Sequence, residues 1–306
     1  MQDNQEKVKP QLHQSHLAIL YRCGYKFSRI VIEGEKEPST IPLIVGTSTH
    51  ATVARNLNNS IEKGTLLTKE AVQDYARDDF LKEWGESYIV LNEEEAFQGL
   101  PKTKDKAQDE TIKLVTAHHY ELAPQIKPIQ VERKWVLKAE GYEYDLAGCI
   151  DIDEGKDIRD TKTCKINFGQ RIIDTSEQYT FYALAKYLVD GEMPEFVHQD
   201  NIIKPTERRA AYCVTYKSTR TTDDFKVVMR RFDQATKIIK AGIYTPANPQ
   251  DWWCSTDFCG FAANGTCPFF NSKTRKSYQK KDGGRDYGNR NGERTIKGLE
   301  DILKNQ

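Results

Sequence analysis

The chain has 306 residues, with 45 Lys and Arg against 45 Asp and Glu and a formal net charge of zero, which argues against bulk coating of nucleic acid but leaves room for a local basic channel. With 38% apolar, 10% aromatic and 29% charged residues it reads as globular, long enough for one large domain or two modest ones. Apolar runs such as Ile41–Val45 are far too short for a membrane span, and the polar start MQDNQEKVKP has no signal-peptide stretch, so the expected location is the cytoplasm.

In chain order, residues 13–31 read as a helix followed by an extended, aromatic-rich stretch, and Ile41-Pro42 reads as a break. A helix is expected from Gly46 to Lys63, and another from a Thr68 cap through Trp84, with Glu70 in its first turn. Residues 92–110, with the acidic run Glu93–Glu95, read as a solvated connection or lid, and a helix resumes at Asp109–Leu122 before Pro124. The period then drops to two. Gln130–Glu140 and Tyr142–Asp153 form an expected hairpin about Glu140-Gly141, and Asp157–Cys164 a third strand. Ser176–Val189 carries the apolar stripe of a helix, capped by Asp174 or Ser176; residues 196–203 and Ala210–Lys217 are two more strands, and Thr222–Ala241 an amphipathic helix. The order predicts a mixed α/β core. Its expected regions are a helical part over 1–128, the core over 129–245, a Cys-rich segment over 246–270 and a tail over 271–306. The tail holds ten Lys and Arg and five Asp and Glu, net +5 by subtraction, and reads as flexible with a short helix at Leu299–Leu303.

The sharpest chemical signal lies on the hairpin and the strand after it. Asp151 closes GCID, and Asp160-Thr161-Lys162 follows, with Asp160 and Lys162 on one face of a strand. Two carboxylates and an ammonium at one point suit phosphodiester hydrolysis: the carboxylates hold Mg²⁺ or Mn²⁺, and the lysine stabilises charge or helps deprotonate water. Alone, Asp-x-Lys is the pattern of a plain ion pair, of which strand surfaces are full. Three further features join it: His50 in the first turns of a helix, and Gln178 and Tyr182 four apart on the face of the helix following the lysine strand.

In this order the residues resemble the PD-(D/E)xK nuclease superfamily, in its RecB-like exonuclease branch: Gly46/His50, Gly148/Asp151, Asp160-x-Lys162, Gln178/Tyr182. The resemblance spans roughly 13–270. It implies a restriction-endonuclease-like α/β fold with a mixed β-sheet flanked by helices and a C-terminal Cys-rich cap. It also implies His50, Asp151, Asp160 and the Thr161 carbonyl as metal ligands, Lys162 as the catalytic lysine, and Gln178 and Tyr182 as the motif after it. Here the second acid is Asp, and Ile150 stands where a Pro often precedes the first acid. Glu132 is a lesser candidate for a substrate or supporting role, an exposed strand Glu being the plainer reading.

Of seven cysteines, Cys254, Cys259 and Cys267 cluster in WWCSTDFCGFAANGTCPFF, and Cys23 in LYRCGYKF is the available fourth partner. This arrangement resembles RecB-like nucleases carrying a [4Fe–4S] cluster, one cysteine ahead of the core and three behind it, where the cluster staples the chain's ends. The spacing favours iron–sulfur over zinc, whose sites use paired knuckles. Residue types alone also allow a structural Zn²⁺ site or reduced cysteines in an aromatic core. Cys149, Cys164 and Cys213 read as packing residues.

For DNA, single-stranded or duplex ends, the candidates are Lys165, Arg171, Lys204, Arg208, Arg209, Arg230, Arg231 and the tail cluster Lys273–Lys281; Tyr25, Phe27, Trp252 and Trp253 are candidates to stack on unpaired bases. The function expected is a metal-dependent deoxyribonuclease, an exonuclease by resemblance. Its setting would be recombination, repair or phage DNA metabolism in a bacterial or phage-infected cytoplasm, with a helicase or recombination protein as a candidate partner and no membrane. The alternatives are a DNA-binding adaptor with this fold in a recombination or CRISPR-adaptation complex, and a structural zinc protein.

Overall fold

The protein is described by a computed structural model over residues 9–167 and 169–271. The chain divides into two units, Met1–Phe270 and Asn271–Gln306. But for Asn271 the second unit, with the expected basic tail, Lys273–Lys281 and the short helix, lies outside the described residues.

The N-terminal part begins with β1 (Gln11–His13), α1 (Gln14–Arg22), α2 (Gly24–Phe27) and a π-helical turn, Ser28–Ile32. The stretch after α1 is therefore wound rather than extended. A minimal parallel pair, β2 (Ser39–Thr40) with β3 (Ile89–Val90), brackets α3 (Ile41–Lys63) and α4 (Lys69–Glu86). Pro42 does not break the chain but sits in the first turn of α3, where its missing N–H has no helical partner to lose. Thr68 caps α4 as expected, its hydroxyl accepting from Ala71 N. Residues 92–110 keep a mostly solvent-exposed surface but are helical rather than an irregular connection. Asn92 and Glu95 form a reciprocal capping box that starts α5 (Glu93–Gln98), and α6 runs from Leu100 to Glu121, with Pro101 in its first turn.

The core sheet has six strands. After β4 (Gln130–Leu137), β5 (Asp145–Asp153) and β6 (Asp157–Cys164) come α7 (Gln170–Thr175) and α8 (Glu177–Asp190). Then follow β7 (Phe196–Ile203), β8 (Tyr212–Ser218), α9 (Thr222–Ala241) and the short α10 (Gly260–Ala263). The sheet is mixed: β1 is parallel to β5 and β6 to β7, while β4–β5, β5–β6 and β7–β8 are antiparallel. On one face, residues of α1, α8 and α9 such as Leu17, Phe181 and Phe232 close a core over Trp135, Ile150, Ile158 and Val197. On the other, α3, α4 and α6 pack Ile44, Phe80 and Leu114 with Ile202, and Val53 and Leu57 with Ile152. The result is a mixed α/β fold whose sheet is flanked by helices.

One irregularity opens the site. β4 pairs with β5 along nearly its whole length, so β1 and β6 share the opposite edge of β5. β1 takes the Asp145 end. β6 takes only the rungs Ile152↔Arg159 and Asp153↔Ile158, then stays on β7 through Cys164. From Asp160 onward β6 leaves β5, and the gap between the two strands exposes side chains from both.

Candidate functional site

Asp151 and Asp160 stand where β5 and β6 part. The backbone N–H of Thr161, with no rung on β5, donates instead to Asp151 Oδ2 at 3.2 Å. From α3, His50 Nδ1 lies 3.3 Å from the same oxygen. Lys162, two residues along β6 from Asp160, places Nζ 2.7 Å from Asp160 Oδ2, as the strand period requires. The β6–α8–β7 crossover lays α8 above Asp160: Gln178 Nε2 donates to Asp160 Oδ1 at 2.8 Å and to Tyr182 Oη at 2.7 Å, and Tyr182 Oη donates to Asp160 Oδ1 at 3.4 Å. All the residues expected at this site except Glu132 thus come together around two carboxylates. Glu132 lies next door on β4, lining a cavity of about 480 Å³ with Gly46, Thr47, His50 and Thr163.

Two partners went unread in the sequence. Tyr179 Oη, buried, lies 3.2 Å from Asp160 Oδ2 and 3.2 Å from Gln199 Oε1 on β7, and Gln199 donates on to Asn201 Oδ1 at 2.7 Å. The only sequence signal was a run of polar residues, His198–Asn201, inside an otherwise apolar strand.

The site's exposure is graded. Side chains of His50, Asp151 and Lys162 keep 33, 25 and 39% of their surface open, while Asp160 keeps 1%. Burial, with the Asp151 charge beside it, pushes the Asp160 carboxyl up to about 6, against the opposing pull of Lys162. Burial would raise Asp151 too, but the His50 hydrogen bond and the His50 and Lys162 charges hold it below the usual range. The converse holds for the two bases. Burial would lower His50 and Lys162, yet Asp151 and Asp160 keep both raised. Tyr179 and Tyr182 are raised by burial and by Asp160, so they stay neutral donors.

The donors are carboxylate and imidazole groups, Asp151 and His50 open to solvent and Asp160 enclosed, and they suit a hard divalent cation in kind. Thr161 Oγ1 is buried without a hydrogen-bond partner beside them. Among the described residues no three His, Cys, Asp or Glu side chains converge closely enough to hold one metal ion.

A second locus lies where the N-terminal helices meet the Cys-rich segment. Cys23, Cys254, Cys259 and Cys267 all line one cavity of about 190 Å³, walled by Trp252, Trp253 and other apolar side chains. Cys23 Sγ accepts the backbone N–H of Lys26 at 3.4 Å. Burial raises Cys267, and the Cys23 and Cys254 sulfurs nearby add to it. Cys149, Cys164 and Cys213 stand on β5, β6 and β8, away from this cavity, their thiols pushed up to about 11, 11 and 12, chiefly by burial.

The expected DNA contacts divide. Phe27 is fully buried and has no face to offer a base. Tyr25 packs edge-on against Phe269, and Trp253 lies beneath Arg22, whereas Trp252 is 59% exposed. Lys204 is tied to Glu110, Arg230 to Asp233, and Arg231 to Glu177 with its guanidinium over Tyr21. Arg208 and Arg209 line a groove of about 650 Å³ with Lys69 and Lys113. Lys165 and Arg171 are exposed. Among the described residues no helix is long and apolar enough to cross a membrane.

No protein-family model matches the chain, and no curated protein sequence matches it. Among solved structures it is similar to one described as the crystal structure of SSO0001, at 13% identity over 78% of this chain and 89% of that one. The TM-score is 0.33, too low to carry any statement about fold or chemistry.

Proposed function

We propose that the chain is a metal-dependent deoxyribonuclease of the RecB-like PD-(D/E)xK kind, with a restriction-endonuclease-like core and a [4Fe–4S] cluster in the cysteine pocket. The observation that supports it most is the meeting of Asp151, Asp160, Lys162 and His50 in the gap between β5 and β6. These residues come from three separate elements, and all but Asp160 are open to solvent.

His50, Asp151, Asp160 and the Thr161 carbonyl would hold Mg²⁺ or Mn²⁺, an ion that supplies polarisation of the scissile phosphate and a more acidic water. The imidazole among the donors makes Mn²⁺ at least as effective as Mg²⁺. Lys162 brings a fixed positive charge to the opening, where it opposes the negative charge growing on a phosphate in the transition state. Gln178, Tyr179 and Tyr182 fix the rotation of the Asp160 carboxylate from behind. Four cysteines lining one cavity, with a peptide N–H on Cys23 and largely apolar walls, offer the ligand number of a multi-atom iron–sulfur group. An exonuclease acting on DNA ends, with a helicase or recombination partner, remains part of this proposal.

The test is cleavage of end-labelled linear and of circular DNA, single- and double-stranded, with Mg²⁺ or Mn²⁺. Lys162→Ala and Asp151→Ala are expected to lower the rate by about 10²-fold or more while keeping the wild-type melting curve within a few degrees. Cutting at the wild-type rate by either variant refutes the assignment.

A further inference from the structure

Glu132 is the only non-glycine residue with positive φ among the described residues, at +52°. It sits inside β4, third of its eight residues, where extended backbone is the rule and a left-handed residue with a side chain is strained. Its neighbours are paired normally, Val131 with Ile152 and Arg133 with Ile150, but the rung between them, Glu132 opposite Asp151, is absent from the ladder.

The pleat slips at that same rung in both strands. Residues two apart on a strand share a face. On β5, Ile150 packs into the core beneath α8, yet Ile152 packs with Val53 and Leu57 of α3. On β4, Trp135 and Arg133 face α8, the latter bound to Asp190, yet Val131 packs with Ile152 on the α3 side. Asp153 is anchored on the α8 side by Lys186 at 3.1 Å and by Arg133. Counting back from Asp153, strict alternation would turn Asp151 to the α8 side, away from α3. Because of the slip, Asp151 and Ile152 both face α3, one onto His50 and the other into the core.

We propose that Glu132 is a positioning residue, and that its left-handed backbone rather than its carboxylate makes the slip that turns Asp151 onto His50. The side chain supports that division: it is exposed and makes no hydrogen bond or ion pair among the described residues. On β5, the strand of Asp151, the Glu132 charge adds to the upward push on the Cys149 thiol, behind burial and Asp151. The consequence for metal binding rests on the ligand roles proposed for Asp151 and His50; the conformational claim does not.

The experiment compares Glu132→Gly, Glu132→Val and Glu132→Gln in the full chain, by melting curve and by Mn²⁺ titration followed by electron paramagnetic resonance well below the melting temperature. Glycine takes positive φ freely and valine resists it. Glu132→Gly should therefore melt at or above wild type, the reverse of glycine elsewhere in a strand, and Glu132→Val should melt below it. Mn²⁺ affinity should hold in Glu132→Gly and Glu132→Gln and fall by about tenfold or more in Glu132→Val, the usual cost of disturbing a ligand's support. Wild-type affinity in a folded Glu132→Val, or an equal loss in all three variants, overturns the proposal; the second result would give the role to the carboxylate. Asp151→Ala serves as the control. If its Mn²⁺ affinity equals wild type, the metal reading has failed by itself. The slip is then judged on melting alone, with Glu132→Gly below wild type overturning it.

Discussion

Asp160 is the residue with most at stake, because its carboxylate is enclosed by protein and faces a second carboxylate. Its pKa in the folded chain is about 6 against an ordinary 3.8, from burial and the Asp151 charge. Folding therefore binds this proton more tightly than the unfolded chain does. The stability it contributes is complete below the ordinary value and is lost as pH rises toward and past about 6. Asp160→Asn removes the titration. With chelator present, the stability of Asp160→Asn relative to wild type should rise between about pH 4 and pH 7, by on the order of 2 kcal/mol at the upper end. Urea unfolding across that range measures it, and a difference that is flat or shrinks with pH contradicts the account. What holds Asp160 was only half legible in the sequence. Lys162 was readable from strand spacing and Gln178 with Tyr182 from helix spacing. Tyr179 was not, because an aromatic inside an apolar helical stripe looks like core, and Tyr179 is core as well as hydrogen-bond donor.

At the scale of elements, the site depends on two strands being held closely at one end and released at the other. Gly148 on β5 lies opposite Trp135 on β4, and a Cβ there would sit 2.3 Å from the indole ring. The glycine lets the large ring lie flat on the strand and close the α8-side core. Gly148→Ala must move that ring or separate the strands, and should destabilise the fold by about 1–3 kcal/mol in urea unfolding. Adding Trp135→Leu to Gly148→Ala should recover part of the loss, a coupling that neighbouring residues in contact show and distant ones do not. Equal stability of Gly148→Ala and wild type would remove this explanation for the glycine. The elements themselves were readable wherever the period was long. Thr222–Ala241 and Asp157–Cys164 run as the pattern predicts. Errors fell at a proline and at charges: Pro42 begins a helix rather than interrupting the chain, and the acidic run Glu93–Glu95 is a favourable first turn behind an Asn92 cap. The slip at Glu132 has no sequence signature, since a glutamate predicts neither positive φ nor a break in alternation.

Across the whole of the described unit, the Cys-rich segment is pressed against the N-terminal elements rather than appended to them. A Cβ on Gly260 would lie 1.9 Å from the Pro38 carbonyl oxygen, and one on Gly24 would lie 2.8 Å from Thr245 N. Arg29 reaches Thr266 Oγ1 at 3.2 Å, Asn92 reaches Asp257 at 3.0 Å, and Gly260 N donates to Glu37 at 2.9 Å. Between these contacts Cys23, Cys254, Cys259 and Cys267 line one cavity, so a group bound there would tie Cys23 to residues more than two hundred positions away. Such a group stabilises the folded chain by binding it and not the unfolded one. Protein purified without oxygen is therefore expected to be brown, with about four irons per chain and visible absorption that bleaches with dithionite. Cys267→Ala should lose most of the iron and melt several degrees lower, whereas Cys213→Ala, which lies away from the cavity, should keep its iron. A colourless protein with one zinc per chain would give the pocket to zinc. A metal-free protein whose melting point is unmoved by Cys267→Ala would return the four cysteines to the packing of an aromatic core.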